Sequence, residues 1–334
     1  MTAGTGPLVV VGDLLLDREI LGTVDRLCPE APVPVLVEQS TVDRPGGAGL
    51  AAHFAVGDEG DVPQPWPEVV LVAAVSRDAA GQRLLELLTA AGIRVVELPL
   101  LGPTPEKIRL RAGAHLLLRL DRGDGRSEIG PVPDEALDAI HSAGALLVSD
   151  YGRGVLAQPR VYGALADRAP HTALVWDPHP RGGAPVAGAA LVTPNRAEAA
   201  HFSDAAPALG VRTNSTPRNA DPLVAAAAGQ ATRLRQGWSA AAVSVTLGER
   251  GAVVCDGRGV PTVVPSPFTA HGDPCGAGDR FASAAAAALA AGSSTVEAVR
   301  AAVAAATAYV SAGGALGLLA GAQTPGPITE RVTR

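Results

Sequence analysis

Six short runs of the chain are apolar almost without interruption. They are Pro7-Leu-Val-Val-Val-Gly-Asp13, Val69–Val75, Ala145–Ser149, Ala173–Trp176, Ala190–Thr193 and Ala241–Thr246. Each is too short for a helix and apolar on both faces, which predicts parallel strands buried from both sides. Segments with helical spacing lie between several of them: Ala79–Ala91, Asp134–Ser142 and Gln158–Arg168. Strand alternating with helix predicts an α/β fold with a doubly wound, mostly parallel sheet flanked by helices. In such a fold ligands bind beyond the carboxyl ends of the strands.

Three segments depart from that rhythm. Glu19–Val24, Val33–Val42 and Glu106–Asp121 alternate with a period of two and carry hairpin turns. They predict a small β lid, inserted at roughly 18–24, 33–42 and 105–121 into a single domain spanning residues 1–334. Residues 57–68 and 203–232 are rich in Pro, Asp and Ala and read as loops. Residues 301–322 carry no charge, but they are mostly Ala and Gly, and Gly313, Gly314, Gly317 and Gly321 interrupt them. That composition predicts a buried helix and a glycine-rich loop rather than a membrane span. The tail past Ala322 is short and polar, and no internal repeat is present.

Composition narrows the class of partner. The 334 residues are 47% hydrophobic with a formal net charge of −6, and this mild acidity argues against a nucleic-acid surface. Cys28, Cys255 and Cys275 are far apart and odd in number, so no disulfide framework or zinc spacing emerges, and a reducing cytoplasm is expected. The first residues lack a cationic segment and an apolar core, so no secretory signal is expected, and Asn214-Ser215-Thr216 is then no glycosylation site. Of the 27 basic residues one alone, Lys107, is a lysine. It marks either a position that needs a compact point charge or a chance survival.

The densest chemistry lies at His271-Gly-Asp-Pro-Cys-Gly-Ala-Gly-Asp-Arg280, followed at once by an alanine-rich helical run. Gly276 and Gly278 allow backbone amides to approach an anion, and a helix start adds free donors and a positive dipole end. Asp279 falls in the first turn. It either complements the dipole or accepts a proton beside a transferring phosphoryl group. Asp13 and Asp17 follow the first strand, where carboxylates can accept hydroxyl hydrogen bonds from a polyol or cap a turn. Arg44-Pro-Gly-Gly-Ala48 opens a helix over Ala48–Val56, with Gly46 and Gly47 permitting close approach. Asn195 and Glu198 have capping-box spacing. In Glu106-Lys-Ile-Arg-Leu-Arg111, alternation puts Lys107, Arg109 and Arg111 on one face, either solvated or able to bind a dianionic phosphate. Arg153, between two glycines, is a further phosphate candidate.

Together these segments resemble the ribokinase-like, PfkB-type carbohydrate kinases, whose C-terminal pattern is Asp-Thr-x-Gly-Ala-Gly-Asp. The resemblance implies a ribokinase-like fold and an ATP- and Mg²⁺-dependent sugar kinase, with a monovalent cation as a further candidate. Asp279 would be the general base, and Gly276, Ala277 and Gly278 the anion cradle. Asn195 and Glu198 would order Mg²⁺. Thr246, Gly248, Gly251 and Asp273 would line the nucleotide, and Asp13, Asp17, Gly46 and Gly47 would hold the sugar.

Asp13-Leu-Leu-Leu-Asp17, Cys28-Pro-Glu-Ala-Pro-Val-Pro34, Arg119-Leu-Asp121, Ser149-Asp-Tyr-Gly-Arg-Gly154 and Asp177-Pro178 are similar to the bacterial heptose 7-phosphate kinases. That implies phosphorylation of the anomeric hydroxyl of D-glycero-D-manno-heptose 7-phosphate, with Lys107, Arg109, Arg119 and Arg153 toward the sugar phosphate. Other sugar, sugar-phosphate or nucleoside kinases are the alternatives, as is a catalytically silent binding protein. The lid is a candidate homodimer surface, and no membrane partner is expected. Pro274 and Cys275 depart from the family turn, His179 stands in place of Lys, and Val303 in place of an Asn near the adenine.

Overall fold

The computed structural model describes residues 6–57, 66–113, 115–123, 127–205 and 221–315. Residues 58–65, residues 206–220 with Asn214-Ser215-Thr216, and Gly317, Gly321 and the tail past Ala322 lie outside the described residues.

The chain enters through β1 (Leu8–Gly12), in which every residue is buried. It passes straight into β2 (Leu14–Leu27) and returns along β3 (Pro34–Gly47), which ends against α1 (Ala48–Val56). Next come β4 (Val69–Val75), α2 (Ala79–Ala90) and β5 (Ile93–Pro99), followed by the hairpin β6 (Glu106–Ala112) and β7 (His115–Arg122). The alternation resumes with α3 (Asp134–Ser142), β8 (Ala145–Ser149), α4 (Pro159–Arg168), β9 (Ala173–Asp177) and β10 (Leu191–Val192). Then follow α5 (Arg196–Ala205), α6 (Pro222–Gly237), β11 (Val243–Thr246), β12 (Ala252–Cys255), β13 (Thr262–Val264), α7 (Ala277–Ala290) and α8 (Thr295–Ser311).

Nine strands form one sheet in the order β13-β12-β11-β10-β9-β8-β1-β4-β5. It is parallel except at β11–β12 and β12–β13. Alternate residues of each strand feed opposite layers. Val9, Val11, Val70 and Val72 pack with α3, α4 and α6 through Ile140, Leu165 and Leu234. Leu8, Val10, Val69 and Leu71 pack with α1, α2, α7 and α8 through Ala51, Leu84, Phe281 and Val299. The result is the expected α/β sandwich, with β1 at the centre between β8 and β4.

The three segments that break the alternation form a second sheet, ordered β3-β2-β6-β7. Its strands run longer than the short segments anticipated, because β2 leaves β1 without a loop and β3 continues through Arg44 to Gly47. The Pro–Asp–Ala-rich reading of 203–232 as loop is corrected at both ends. Helix α5 runs to Ala205, and α6 begins at Pro222 with Asp221 accepting from the Leu223 amide as its N-cap. Strands β5, β12 and β13 form where the apolar pattern predicts none. Helix α8 ends at Ser311, inside the uncharged 301–322 stretch. Among the described residues no helix is long and apolar enough to cross a membrane.

Candidate active site

Asp279 is the third residue of α7 and is 5% exposed. The helix starts from Gly276 in the left-handed region (φ 85°), where an added Cβ would strike Leu50 and the Tyr309 hydroxyl, so the turn requires glycine. The Ala277 amide donates to the Pro274 carbonyl at 3.0 Å, which leaves the flanking amides of Gly276 and Gly278 as the better candidates for an anion. Asp273 accepts from the Cys275 amide and bridges to Gly314, so it braces the turn from behind.

The carboxyl ends of β8 and β9 converge on this carboxylate. The Tyr151 hydroxyl lies 3.0 Å from both Oδ1 and Oδ2 of Asp279, and the Ser149 hydroxyl lies 3.5 Å from Oδ1. Burial pushes the Asp279 carboxyl up to about 7, against the hydrogen bond from Tyr151. Asp177, at the end of β9, accepts from Thr193 Oγ1 at 2.8 Å. Desolvation, then the charges of Asp279 and Glu198, push its carboxyl well above the usual range. A pocket that raises two carboxyls in this way suits a bound cation.

Sequence reasoning named Asp279 but not Ser149, Tyr151, Asp177 or Thr193 as its surroundings. Ser149, Tyr151 and Asp177 lie in segments quoted for the resemblance, and all four end a buried parallel strand or begin the loop beyond it, but neither signal ties them to Asp279.

Asn195 and Glu198 form the capping box that their spacing anticipated. Asn195 Oδ1 accepts from the Ala197 and Glu198 amides, and Glu198 Oε2 accepts from the Asn195 amide at 2.8 Å. Burial raises the Glu198 carboxyl. Asn195 pairs with Thr246 across a β-bridge, which sets this motif beside the Thr246–Gly251 loop. Among the described residues no group of three or more His, Cys, Asp or Glu side chains is disposed to hold a metal. The two carboxylates of Glu198 and Asp177 fit Mg²⁺, which commonly keeps waters and takes its other oxygens from phosphates.

Asp13 is 2% exposed, and its oxygens accept from the amides of Tyr151, Arg153 and Val155 at 3.0, 2.9 and 3.1 Å. It therefore holds the 151–155 loop. Gly47 (φ 62°) would clash through an added Cβ with the Asp13 carbonyl, and the same Cβ would lie 3.5 Å from the Tyr151 ring. Gly46 backs directly onto Asp17.

The lid brings its cations to the same place, already engaged. Arg109 donates to Asp17 at 3.0 Å and to Glu19 at 3.2 Å, while Arg111 donates to Glu19 at 2.9 Å. Lys107 Nζ lies 3.9 Å from Asp17, and Arg44 lies 3.6 Å from Glu19. Ile108, between the cations in sequence, is buried on the other face, as the alternation required. Arg119 pairs with Asp121 in an exposed bidentate contact on β7. Arg153 sits near enough to lower the Asp121 carboxyl, after Arg119 and Lys107.

Two departures from the expected pattern resolve differently. Val303 is buried in the core under the sheet rather than open to a nucleotide. Cys275 precedes a helix N-terminus, which favours a thiolate, yet its pKa is raised, because burial outweighs the nearby Arg109 guanidinium 3.8 Å from its sulfur.

The signature of the pfkB family carbohydrate kinases matches residues 7–319. The chain is 50% identical over 311 residues to the bifunctional protein HldE of Streptomyces coelicolor, covering 92% of this chain and 61% of that protein. It is 34% identical over 298 residues to its counterpart in Caulobacter vibrioides, covering 88% and 57%. The chain thus spans about three-fifths of the length of these relatives. The fold is that of the tetrameric inhibited form of Escherichia coli phosphofructokinase-2, with a TM-score of 0.64 at 19% identity over 91% of this chain and 94% of that one. Arabidopsis thaliana ribokinase complexed with ribose and ATP gives 0.59 at 20% identity over 93% of each chain. With a desolvated carboxylate at a glycine-rich helix start and the family pattern over nearly its whole length, the chain belongs to the pfkB family of carbohydrate kinases and is a sugar kinase.

Proposed function

We propose that the protein transfers a phosphoryl group from ATP to the anomeric hydroxyl of a phosphorylated sugar, with D-glycero-D-manno-heptose 7-phosphate as the leading candidate. The observation that carries the phosphorylated acceptor is the charge of the lid pocket. Arg44, Lys107, Arg109 and Arg111 face Asp17 and Glu19, an excess of two positive charges, which complements a phosphate dianion. The identity to two HldE proteins over about three-fifths of their length supports a heptose, as does the resemblance of the Pro-Glu-Ala-Pro-Val-Pro and Ser-Asp-Tyr-Gly segments to the heptose 7-phosphate kinases.

In this reading Asp279 accepts the proton of the attacking hydroxyl, and the amides of Gly276 and Gly278 steady the transferring phosphoryl group. Glu198 and Asp177 would hold Mg²⁺, which would neutralise charge on the phosphates. Thr246, Gly248 and Gly251 line the nucleotide. The exposed leucines of β7, Leu116, Leu118 and Leu120, make the lid edge the proposed homodimer surface.

One observation favours a second reading. Asp17 and Glu19 already satisfy Arg109 and Arg111, and carboxylates suit the hydroxyls of an unphosphorylated sugar. An ADP-release assay with ATP–Mg²⁺ separates the two. The panel is heptose 7-phosphate, fructose 6-phosphate, fructose 1-phosphate and ribose. The highest kcat/KM is expected for the heptose phosphate. A preference for ribose would overturn the phosphorylated acceptor, and no turnover with any member would favour a silent binding protein.

A further inference from the structure

Tyr151 holds an unusual position between two elements of the site. Its hydroxyl straddles both oxygens of Asp279, at 3.0 Å from each. Its ring stacks on His179, with centroids 6.0 Å apart and planes inclined by 26°. Its Cδ2 faces the turn ahead of α1, 3.5 Å from where a Cβ on Gly47 would stand. Its backbone is fixed as well, since its amide donates to Asp13 and its carbonyl accepts from Arg181. The stacked ring and the anchored backbone hold the hydroxyl where it is.

A lone carboxylate at a helix start can rotate about its terminal torsion, which is broad and roughly two-fold. Here Oδ1 receives Ser149 as well as Tyr151, whereas Oδ2 receives Tyr151. The less engaged lone pairs are on Oδ2. Gly278, on the same turn, faces Asp177 Oδ2, 4.0 Å from where its Cβ would be, which places the Asp177 carboxyl beside the start of α7.

We propose that Tyr151 is a positioning residue for phosphoryl transfer: its clamped hydroxyl fixes the carboxylate plane of Asp279 so that Oδ2 meets the acceptor hydroxyl. This rests on the reading of Asp279 as the base. In the step itself the acceptor O–H bond breaks and its proton goes to Asp279 Oδ2. The acceptor oxygen forms the new bond to the γ-phosphorus, and the bond to the ADP oxygen breaks. The Tyr151 proton is not transferred. His179, through its stacking, is the support that keeps the ring in place.

The test is a double-mutant cycle with Tyr151→Phe and Asp279→Asn, assayed with ATP–Mg²⁺ and heptose 7-phosphate, or with the fastest acceptor of the panel above. Phe keeps the ring and its stacking, so the fold is retained, and thermal unfolding of each variant checks this. A hydrogen bond to a charged group is worth about 1.5–3 kcal/mol, so Tyr151→Phe should lower kcat about 10- to 100-fold. KM for ATP and for the sugar should move less than about threefold, since no binding contact is lost. In the Asp279→Asn background the same change should have almost no effect, because the group it orients no longer accepts a proton.

A kcat within twofold of wild type for Tyr151→Phe would overturn the proposal, as would an equal loss in both backgrounds. A rise in turnover with a fall in sugar KM would also overturn it, by showing that the hydroxyl competes with the acceptor. Failure of the underlying reading looks different: Asp279→Asn alone would then turn over near the wild-type rate. His179→Ala gives a second measurement. It should lower kcat in the same direction with KM for ATP unchanged, and an unaltered kcat would remove His179 from the clamp.

Discussion

The α/β body and the lid place their functional groups by different means. In the body, Ser149 ends β8, Tyr151 begins the loop beyond it and Asp279 starts α7, elements anchored by buried residues such as Leu146, Leu147, Phe281 and Ala285. In the lid, the inward face of β2 and β6 is an ionic lattice. Asp17 lies opposite Lys107 in the strand register, Glu19 opposite Arg109, and the arginine of each step reaches the carboxylate beside it. Apolar packing is short-ranged and indifferent to solutes, whereas such pairs respond to any ligand that changes the local charge. The comparison teaches that the proposed base is preset by packing, while the lid is set by charge.

The largest effect should come from the body. Asp279→Asn preserves size and helix position but removes basicity, so kcat should fall roughly 10²–10⁴-fold while nucleotide binding by calorimetry persists. Because the Asp279 carboxyl sits at about 7, it is increasingly protonated below that pH and cannot accept a proton. Turnover should therefore decline toward acid, about tenfold per pH unit well below the midpoint, and a flat acid limb in wild type would break the assignment.

Glu19→Gln attacks the lid instead. Glu19 is 1% exposed and serves three arginines, so losing its charge removes a shared counter-ion from all of them, at a cost of about 3 kcal/mol to the lid sheet. Hydrogen exchange should speed up in β2 and β6 and stay unchanged in β1, β4 and β8. Equal acceleration in both sheets would erase the distinction between them.

Lys107→Met sharpens the comparison within the site. It should raise KM for a phosphorylated sugar about 10- to 150-fold, with KM for ATP unchanged. The smallest effect is at the seam, where Cys275 of the body turn touches Arg109 of the lid. With its thiol raised, iodoacetamide should label it slowly at neutral pH and keep accelerating beyond pH 9.0. Rapid neutral labelling would mean that Arg109 outweighs burial.

The body was more legible than its site. Val69–Val75 and Ala145–Ser149 could be read to the residue, because a strand covered on both faces needs an unbroken apolar run. Helix α6 was lost because Pro222 and Asp221 were counted as loop composition, although at N1 and N-cap they are start signals. Strand β12 is four residues long and offers too little pattern. In the site, Asp279 announced itself through a local motif, but Tyr151 meets it across 128 positions of sequence, and no spacing rule spans that distance. The pairing of lid cations with Asp17 and Glu19 was hidden for the same reason, since the face was legible and its partners lay on another strand.

The helices that cover one side of the central sheet come from opposite ends of the chain. Leu8, Val10 and Leu71 pack under α1 and α2 but also under α7 and α8, which start at Ala277 and Thr295. During synthesis at about 5–20 residues per second, that face stays uncovered for many seconds after β1 and β4 have emerged. The nascent chain therefore presents a broad aliphatic surface until α7 and α8 arrive, so the segment that begins to shield it from aggregation is also the one that carries Asp279 to the ends of β8 and β9.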